Sequence, residues 1–165
     1  MCIRDRKKDI AQIVDKIKAR QPNLPVGIWG NSLGGAIAIQ ALEFDERIKF
    51  GIIESTFTEL NQIVFDYKKR ILKGIGLKFL SDYALKKAGE IANFKPFKVQ
   101  PIESVKNIEQ PIFIAHGDAD ENISSKYGQQ LFDKLKSKDK QFIFCLLYTS
   151  PSPRDATLSR MPSSA

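Results

Sequence analysis

The sequence predicts an α/β fold, doubly wound, with a mostly parallel sheet and helices on both faces. Three observations carry this. Four short apolar runs, at residues 26–29, 48–54, 111–116 and 141–144, alternate with segments of helical period. A segment of helix length joins the first two runs, which makes a strand–helix–strand unit with a right-handed crossover. The 165 residues, 42% hydrophobic and 27% charged, fit one ordinary globular domain and contain no run near the ~18 apolar residues of a membrane span.

In chain order, residues 7–20, KKDIAQIVDKIKAR, place Ile10, Ile13, Val14 and Ile17 on one helix face. Gln21-Pro22-Asn23 ends that helix, and Val26 to Trp29 is the first strand. The helix after Ser32 is expected to bury Ala36, Ile37, Ile39, Ala41 and Leu42, its small residues allowing close approach to a sheet. Phe44 to Glu46 turns the chain into the second strand, Ile48 to Glu54. Thr56-x-x-Glu59 reads as a capping box opening a helix.

Across 57–100, Leu60, Ile63, Val64, Tyr67, Ile71, Leu77, Leu80 and Leu85 keep helical spacing, interrupted by Gly74, Gly76, Gly89 and Pro96. Two or three helices inserted between core elements fit this pattern. Pro101 to Gln110 is a connection, and Pro111 to His116 is the third strand, with Gly117 to Asn122 as its loop. Ser124 to Leu135 is an amphipathic helix with Tyr127, Leu131, Phe132 and Leu135 inward. Gln141 to Phe144 begins a fourth strand.

The chemistry concentrates at Gly30-Asn31-Ser32-Leu33-Gly34, a G-x-S-x-G between strand and helix, with Gly35 following. Such a turn holds its serine in a strained conformation, and the glycines two before and two after are expected to relieve clashes there. The hydroxyl then sits at a helix N-terminus, where unpaired N–H groups and the helix dipole favour developing negative charge. That is how a serine nucleophile is presented for acyl transfer. The bland alternative is a glycine-rich turn with a bystander serine. A dinucleotide fingerprint is excluded because Ser32 takes the second glycine's place, and a P-loop because G-K-[ST] is absent.

Gly-Asn-Ser-Leu-Gly-Gly after a strand, then His-Gly-Asp-Ala-Asp at a later strand end, resembles the α/β-hydrolase superfamily. The nearest likeness is to the serine-hydrolase branch that includes Bem46-like and serine-aminopeptidase-like proteins. The likeness spans residues 7–144, the C-terminal two-thirds of that fold. It implies that Ser32 is the nucleophile, that the Leu33 N–H is one oxyanion donor, and that Asp120 is the triad acid. It also implies that segment 57–100 is a cap over the active site. The family's second oxyanion donor is expected upstream of residue 7, and its triad histidine after the strand at Gln141.

No histidine follows His116, the single histidine of the chain. Loss of a triad member costs orders of magnitude in rate, so the chain as written is expected to have no useful turnover. His116 stands four residues before Asp120 on one strand end, whereas base and orienting acid approach from different elements. A packing role beneath the loop suits it better. Asp118 and Glu54 are alternative acids, and a loop aspartate making only Asx-turn hydrogen bonds is the bland reading of either aspartate.

The ends differ from the middle. Arg4, Arg6, Arg154 and Arg160 carry all the basic charge outside residues 7–144, where lysine dominates. The stretch from Cys145 is rich in Ser and Pro without periodicity. Residues 1–6 and 145–165 resemble translated adapter sequence and are set aside; a genuine disordered Ser/Pro tail is the alternative. Removing both ends, with Asp5 and Asp155, takes the net charge from +7 to +5. Cys2 and Cys145 suggest no disulfide framework and no metal cluster.

Segment 57–100 holds nine basic residues against Glu59, Asp66, Asp82 and Glu90. Mixed with Phe65, Tyr67, Phe79 and Leu80, this is either a basic face for anionic lipid or anionic acyl substrate, or a solvated lid surface. No nucleic-acid motif accompanies the charge. The functional expectation is hydrolysis of an ester, thioester or amide through an acyl-serine, on a small acyl substrate, with no cofactor needed. A non-catalytic binding module and an acyltransferase are the alternatives. The expected compartment is cytoplasmic or membrane-associated.

Overall fold

The structure, a computed structural model, describes residues 6–71 and 78–145. Residues 1–5 and 146–165, and within the inserted segment Lys73, Gly74, Gly76 and Leu77, lie outside them. The elements are α1 (Arg6–Arg20), β1 (Val26–Asn31), α2 (Leu33–Phe44), β2 (Ile48–Glu54), α3 (Leu60–Ile71) and α4 (Lys78–Ile91). A 3-10 turn (Pro96–Lys98), α5 (Pro101–Ser104), a second 3-10 turn (Val105–Asn107), β3 (Ile112–Gly117), α6 (Ser125–Lys134) and β4 (Lys140–Cys145) follow. The strands form one parallel sheet in the order β1-β2-β3-β4. The predicted α/β class and parallel sheet are therefore found.

One face of the sheet carries the main core. Side chains alternate along a strand, so Gly51, Ile53, Ile112, Ile114, His116 and Phe142 point the same way. Gly51 leaves room for α2: a Cβ there would lie 2.5 Å from Leu42 Cδ1. Gly128 of α6 does the same further along, since its Cβ would meet His116 and Phe142. Both helices thus rest on this face, and Val14, Ile39, Leu42, Ile53, Ile114 and Leu131 pack into one cluster there.

The other face shows Trp29, Phe50, Ile52 and Ile143 to solvent, with Trp29 66% exposed. Trp29 pairs with Ile52 across the ladder, and the Phe50 ring lies against Gly27. Helices were expected on both faces; among the described residues the helices that pack directly on the sheet, α2 and α6, rest on one. The strands nevertheless read as apolar on both sides, as strands of a two-sided parallel sheet do.

Local details depart from the expected faces. In α1, Val14 is buried and Ile10 and Ile17 pack at the core margin, but Ile13 is 53% exposed. That helix packs on α2 rather than on the sheet, so its buried stripe is narrow. In α2, Ile37 is only half-buried while Ala38 and Gln40 are buried, the Gln40 amide donating to the Ala36 carbonyl at 3.3 Å. Thr56 does not cap a helix. α3 begins at Leu60, and the Thr56 hydroxyl instead donates to the Ser32 carbonyl at 2.7 Å.

A second cluster, with Ala36, Phe57, Leu60, Ile63, Val99, Ile123 and Tyr127, joins α3 and the Pro96–Lys98 turn to the starts of α2 and α6. It lies at the carboxyl end of the sheet. α4 buries only Ser81, Leu85 and Gly89. Leu80, one of the positions at helical spacing, is 46% exposed.

Candidate active site

Ser32 occupies the junction between β1 and α2 with φ 53° and ψ −118°. A side chain at such an angle costs of order 1–3 kcal/mol and persists only where the surroundings hold it. Backbone contacts do so, the Ala36 N–H among them, donating to the Ser32 carbonyl at 3.3 Å. The Ser32 N–H donates to the Glu54 carbonyl at 2.9 Å, extending the sheet ladder by one bond. Its carbonyl accepts the Gly35 N–H at 3.1 Å and the Thr56 hydroxyl at 2.7 Å. The Ser32 hydroxyl makes no capping hydrogen bond to the helix it precedes, so it is left available. Leu33 is the first residue of α2, and its N–H is among the donors that a helix start leaves without an intrahelical partner.

The glycines divide differently from the expectation. A Cβ on Gly30 would lie 2.3 Å from the Gly34 carbonyl oxygen, a backbone atom that cannot step aside. A Cβ on Gly35 would lie 2.8 Å from Thr56 Cβ. One on Gly34 would meet nothing within 4 Å. The close approach is therefore between Gly30 and the first turn of α2, with Gly35 making room for Thr56. Gly34, the motif's own last glycine, is not sterically required among the described residues.

Asp120 follows β3 in a loop at the same edge of the sheet. All four strands are parallel, so the ends of β1 and β3 emerge together, separated by β2. At the usual strand spacing this is about 10 Å. The Asp120 N–H donates to the Gly117 carbonyl at 3.3 Å. Its Oδ1 accepts from the Asn122 and Ile123 N–H groups at 2.8 and 2.9 Å. These are the Asx-type bonds of the bland reading, but they occupy one oxygen. Oδ2 makes no hydrogen bond among the described residues, and its side chain is 15% exposed.

His116 lies beneath this loop and is fully buried. Its Nε2–H donates to the Ile123 carbonyl at 2.8 Å, and Nδ1 has no partner. Burial pushes its pKa below the usual histidine value, against smaller opposing effects from the Ile123 hydrogen bond and the Asp120 carboxylate 3.9 Å away. A neutral, enclosed imidazole with its proton committed to a carbonyl is a structural group. Asp118 is exposed, with its N–H on the Cys145 carbonyl at 3.2 Å. The Glu54 carboxylate accepts from the Asn31 amide at 3.5 Å, next to the turn.

Several neighbours escaped the sequence reading. Arg70 of α3 donates to the Glu121 carbonyl at 2.6 Å and stacks over Tyr67. The Tyr127 hydroxyl donates to the Asp66 carboxylate, whose other oxygen accepts from Gln62 at 2.9 Å. Burial, with that carboxylate beside it, pushes the Tyr127 pKa up. These bonds tie α3 to α6 and to the Asp120 loop. A cleft of about 510 Å³ lies between them, lined by Lys69, Arg70, Asp120 and Asn122 among others; Ser32 does not line it. No local pattern could have announced the Arg70–Glu121 and Tyr127–Asp66 pairs, because each joins residues more than fifty positions apart. Among the described residues, no group of three His, Cys, Asp or Glu side chains is placed to hold a metal ion.

Comparison with known proteins adds the evolutionary frame. The family profile of the prolyl oligopeptidase family matches residues 6–150. The chain is 26% identical to the uncharacterized peptidase YuxL of Bacillus subtilis, over 81% of this chain and 20% of that protein. It is 30% identical to the lysophosphatidylserine lipase ABHD12 of Macaca fascicularis, over 75% of this chain and 31% of that one. The structure superimposes on the Pyrococcus furiosus esterase Pf2001 with a TM-score of 0.64 at 19% identity, covering 85% of this chain and 52% of that one. The chain thus spans well under two thirds of each relative.

Proposed function

The chain belongs to the prolyl oligopeptidase family of α/β-hydrolases, and from that premise we propose that Ser32 is an acyl-accepting nucleophile. The observation that carries this is the positive φ of Ser32, locked by Glu54, Gly35 and Thr56, with the hydroxyl uncommitted. Attack on a carbonyl carbon transfers the hydroxyl proton to a base and places negative charge on the carbonyl oxygen. The Leu33 N–H at the start of α2 takes part of that charge. Asp120 orients the imidazole that serves as base and stabilises its charged form. Its unengaged Oδ2 suits that task.

The chain supplies no second histidine, and His116 is enclosed. We therefore expect the whole protein, with further chain at both ends, to complete the triad, and the chain as given to turn over little. Segment 57–100 is read as a cap, and the stretch read as foreign to the domain begins only after Cys145, which pairs with Gly117 at the end of β4. The substrates fit the esterase, peptidase and lipase relatives: a small ester, thioester or amide. We read the basic cap as resting on an acidic lipid surface.

A fluorophosphonate probe on the uninterrupted gene product tests the nucleophile. Labelling that disappears in Ser32→Ala supports it. Absence of labelling in the unmodified protein defeats it and favours a binding module. Labelling with transfer to an added alcohol in preference to water would identify an acyltransferase.

A further inference from the structure

We propose that the outward face of α4 is a docking surface for a bilayer containing anionic phospholipid. The proposal deepens the lipid-surface reading of the cap and is independent of the hydrolase chemistry.

α4 is oriented against the usual rule for a surface helix, which turns its apolar side to the core. It buries Ser81, Leu85 and Gly89, a stripe in which only one residue is large and apolar. Gly89 is there because a Cβ would meet the Phe94 carbonyl and Pro96 at 2.7 Å. The large apolar residues point out instead. Ile91 is 87% exposed, Phe79 69%, Tyr83 59% and Leu80 46%. Phe79 and Tyr83 are four apart and share one line of the helix surface; Leu80 borders it.

The charges around this face decide what it fits. From residue 78 to 98 there are five lysines against Asp82 and Glu90, a net +3. Glu90 is engaged by Lys87 at 2.7 Å, which holds its carboxyl below the usual glutamate range. Lys86, Lys95 and Lys98 make no ion pair among the described residues. Beside them, a mostly apolar cleft of about 440 Å³ opens between the end of α4 and the Pro96–Lys98 turn. Exposed aromatic and aliphatic tips on a lysine-rich segment match the layered chemistry of a bilayer interface. The rings enter the acyl boundary while the flexible lysine stems carry ammonium groups to phosphates. A protein partner of ordinary composition would supply apolar surface without the matching anions.

The test uses the 165-residue chain and its single tryptophan, Trp29, which lies on the open sheet face and not on α4. Vesicles of phosphatidylcholine, with and without phosphatidylserine, are floated with the protein. Binding is expected with phosphatidylserine and weak without it. Phe79→Ser/Tyr83→Ser/Ile91→Ser is expected to lower partitioning at least about tenfold. Lys86→Gln and Lys95→Gln should each lower it about fivefold, on anionic vesicles only. Trp29 emission should not shift on binding, and circular dichroism of the variants should match the unmodified chain.

No binding of the unmodified chain overturns the lipid-surface reading altogether. Binding that survives the triple substitution, or that shifts Trp29 emission to the blue, overturns the assignment to α4 alone. A chain that self-associates, and becomes monomeric without vesicle binding in the triple variant, identifies a second copy as the occupant and overturns the proposal too.

Discussion

α2 and α4 are helices of 12 and 14 residues that both carry large apolar side chains, and they use them oppositely. α2 buries seven of its residues, including the amide side chain of Gln40, because it is wedged between α1 and the sheet. α4 buries three and turns its larger apolar side chains to solvent. Composition alone therefore does not say which way a helix faces. What decides is how many neighbours it has. α2 contacts β1, β2, α1 and α5, whereas α4 rests on α3 and the Pro96–Lys98 turn. Stability should accordingly reside around α2, and surface behaviour around α4.

The largest expected effect lies at the entry to α2. Gly30→Ala drives a methyl into the Gly34 carbonyl and should cost about 4 kcal/mol or more, leaving little folded protein in urea titrations. Gly34→Ala, four residues later, should be neutral or stabilise by up to about 1 kcal/mol, since the space is open and alanine favours helix. Equal effects at the two positions would contradict the close approach seen at Gly30.

Next comes the contrast between the helices themselves. Leu42→Ala removes a fully buried side chain of α2 and should cost about 2–5 kcal/mol. Ile91→Ala on α4 should stay within about 0.5 kcal/mol. A large loss at Ile91 would mean that the exposed face of α4 is packed in solution.

Strain offers a gain rather than a loss. Ser32→Gly relaxes the positive φ and should stabilise by about 1–2 kcal/mol while abolishing probe labelling of the whole protein. A loss of stability would show that the serine side chain is itself a structural contact.

A further contrast is a pH slope set by His116. Its pKa is depressed by burial, so the folded protein keeps it neutral where the unfolded chain binds a proton. Stability should thus be full above about pH 6.5 and fall as the pH drops below it, by at most about 1.4 kcal/mol per pH unit. His116→Gln should flatten this limb in urea midpoints taken between pH 5 and 7. At lower pH, Asp45 adds a second limb. Its hydrogen bond with Arg47 holds its carboxyl below the usual aspartate range, so that stability is present above about pH 3.8 and lost as pH falls through the folded value.

The bend at Ser32 could be read in advance for a physical reason. Ser32 needs a local conformation, and local conformation is written in adjacent glycines and in the strand and helix on either side. Asp120 was singled out by the family likeness of His-Gly-x-x-Asp, and the parallel sheet brings its loop to the same edge as the end of β1. Thr56 shows where this reasoning ends. Its spacing to Glu59 satisfies a capping box, yet its hydroxyl serves a carbonyl 24 residues earlier. Gly34 shows the same limit, since the clash that matters is between Gly30 and the helix backbone.

Periodicity and turn chemistry, which act between near neighbours along the chain, determined the strands, the helices, their order and the bend at Ser32. Tertiary packing decided the rest: which face of α4 meets solvent, which side of the sheet the helices cover, and which residues lock the Asp120 loop. Those outcomes depend on contacts such as Arg70 with Glu121 and Tyr127 with Asp66. Such contacts form only when distant segments meet, and no short stretch of sequence carries the information for both partners.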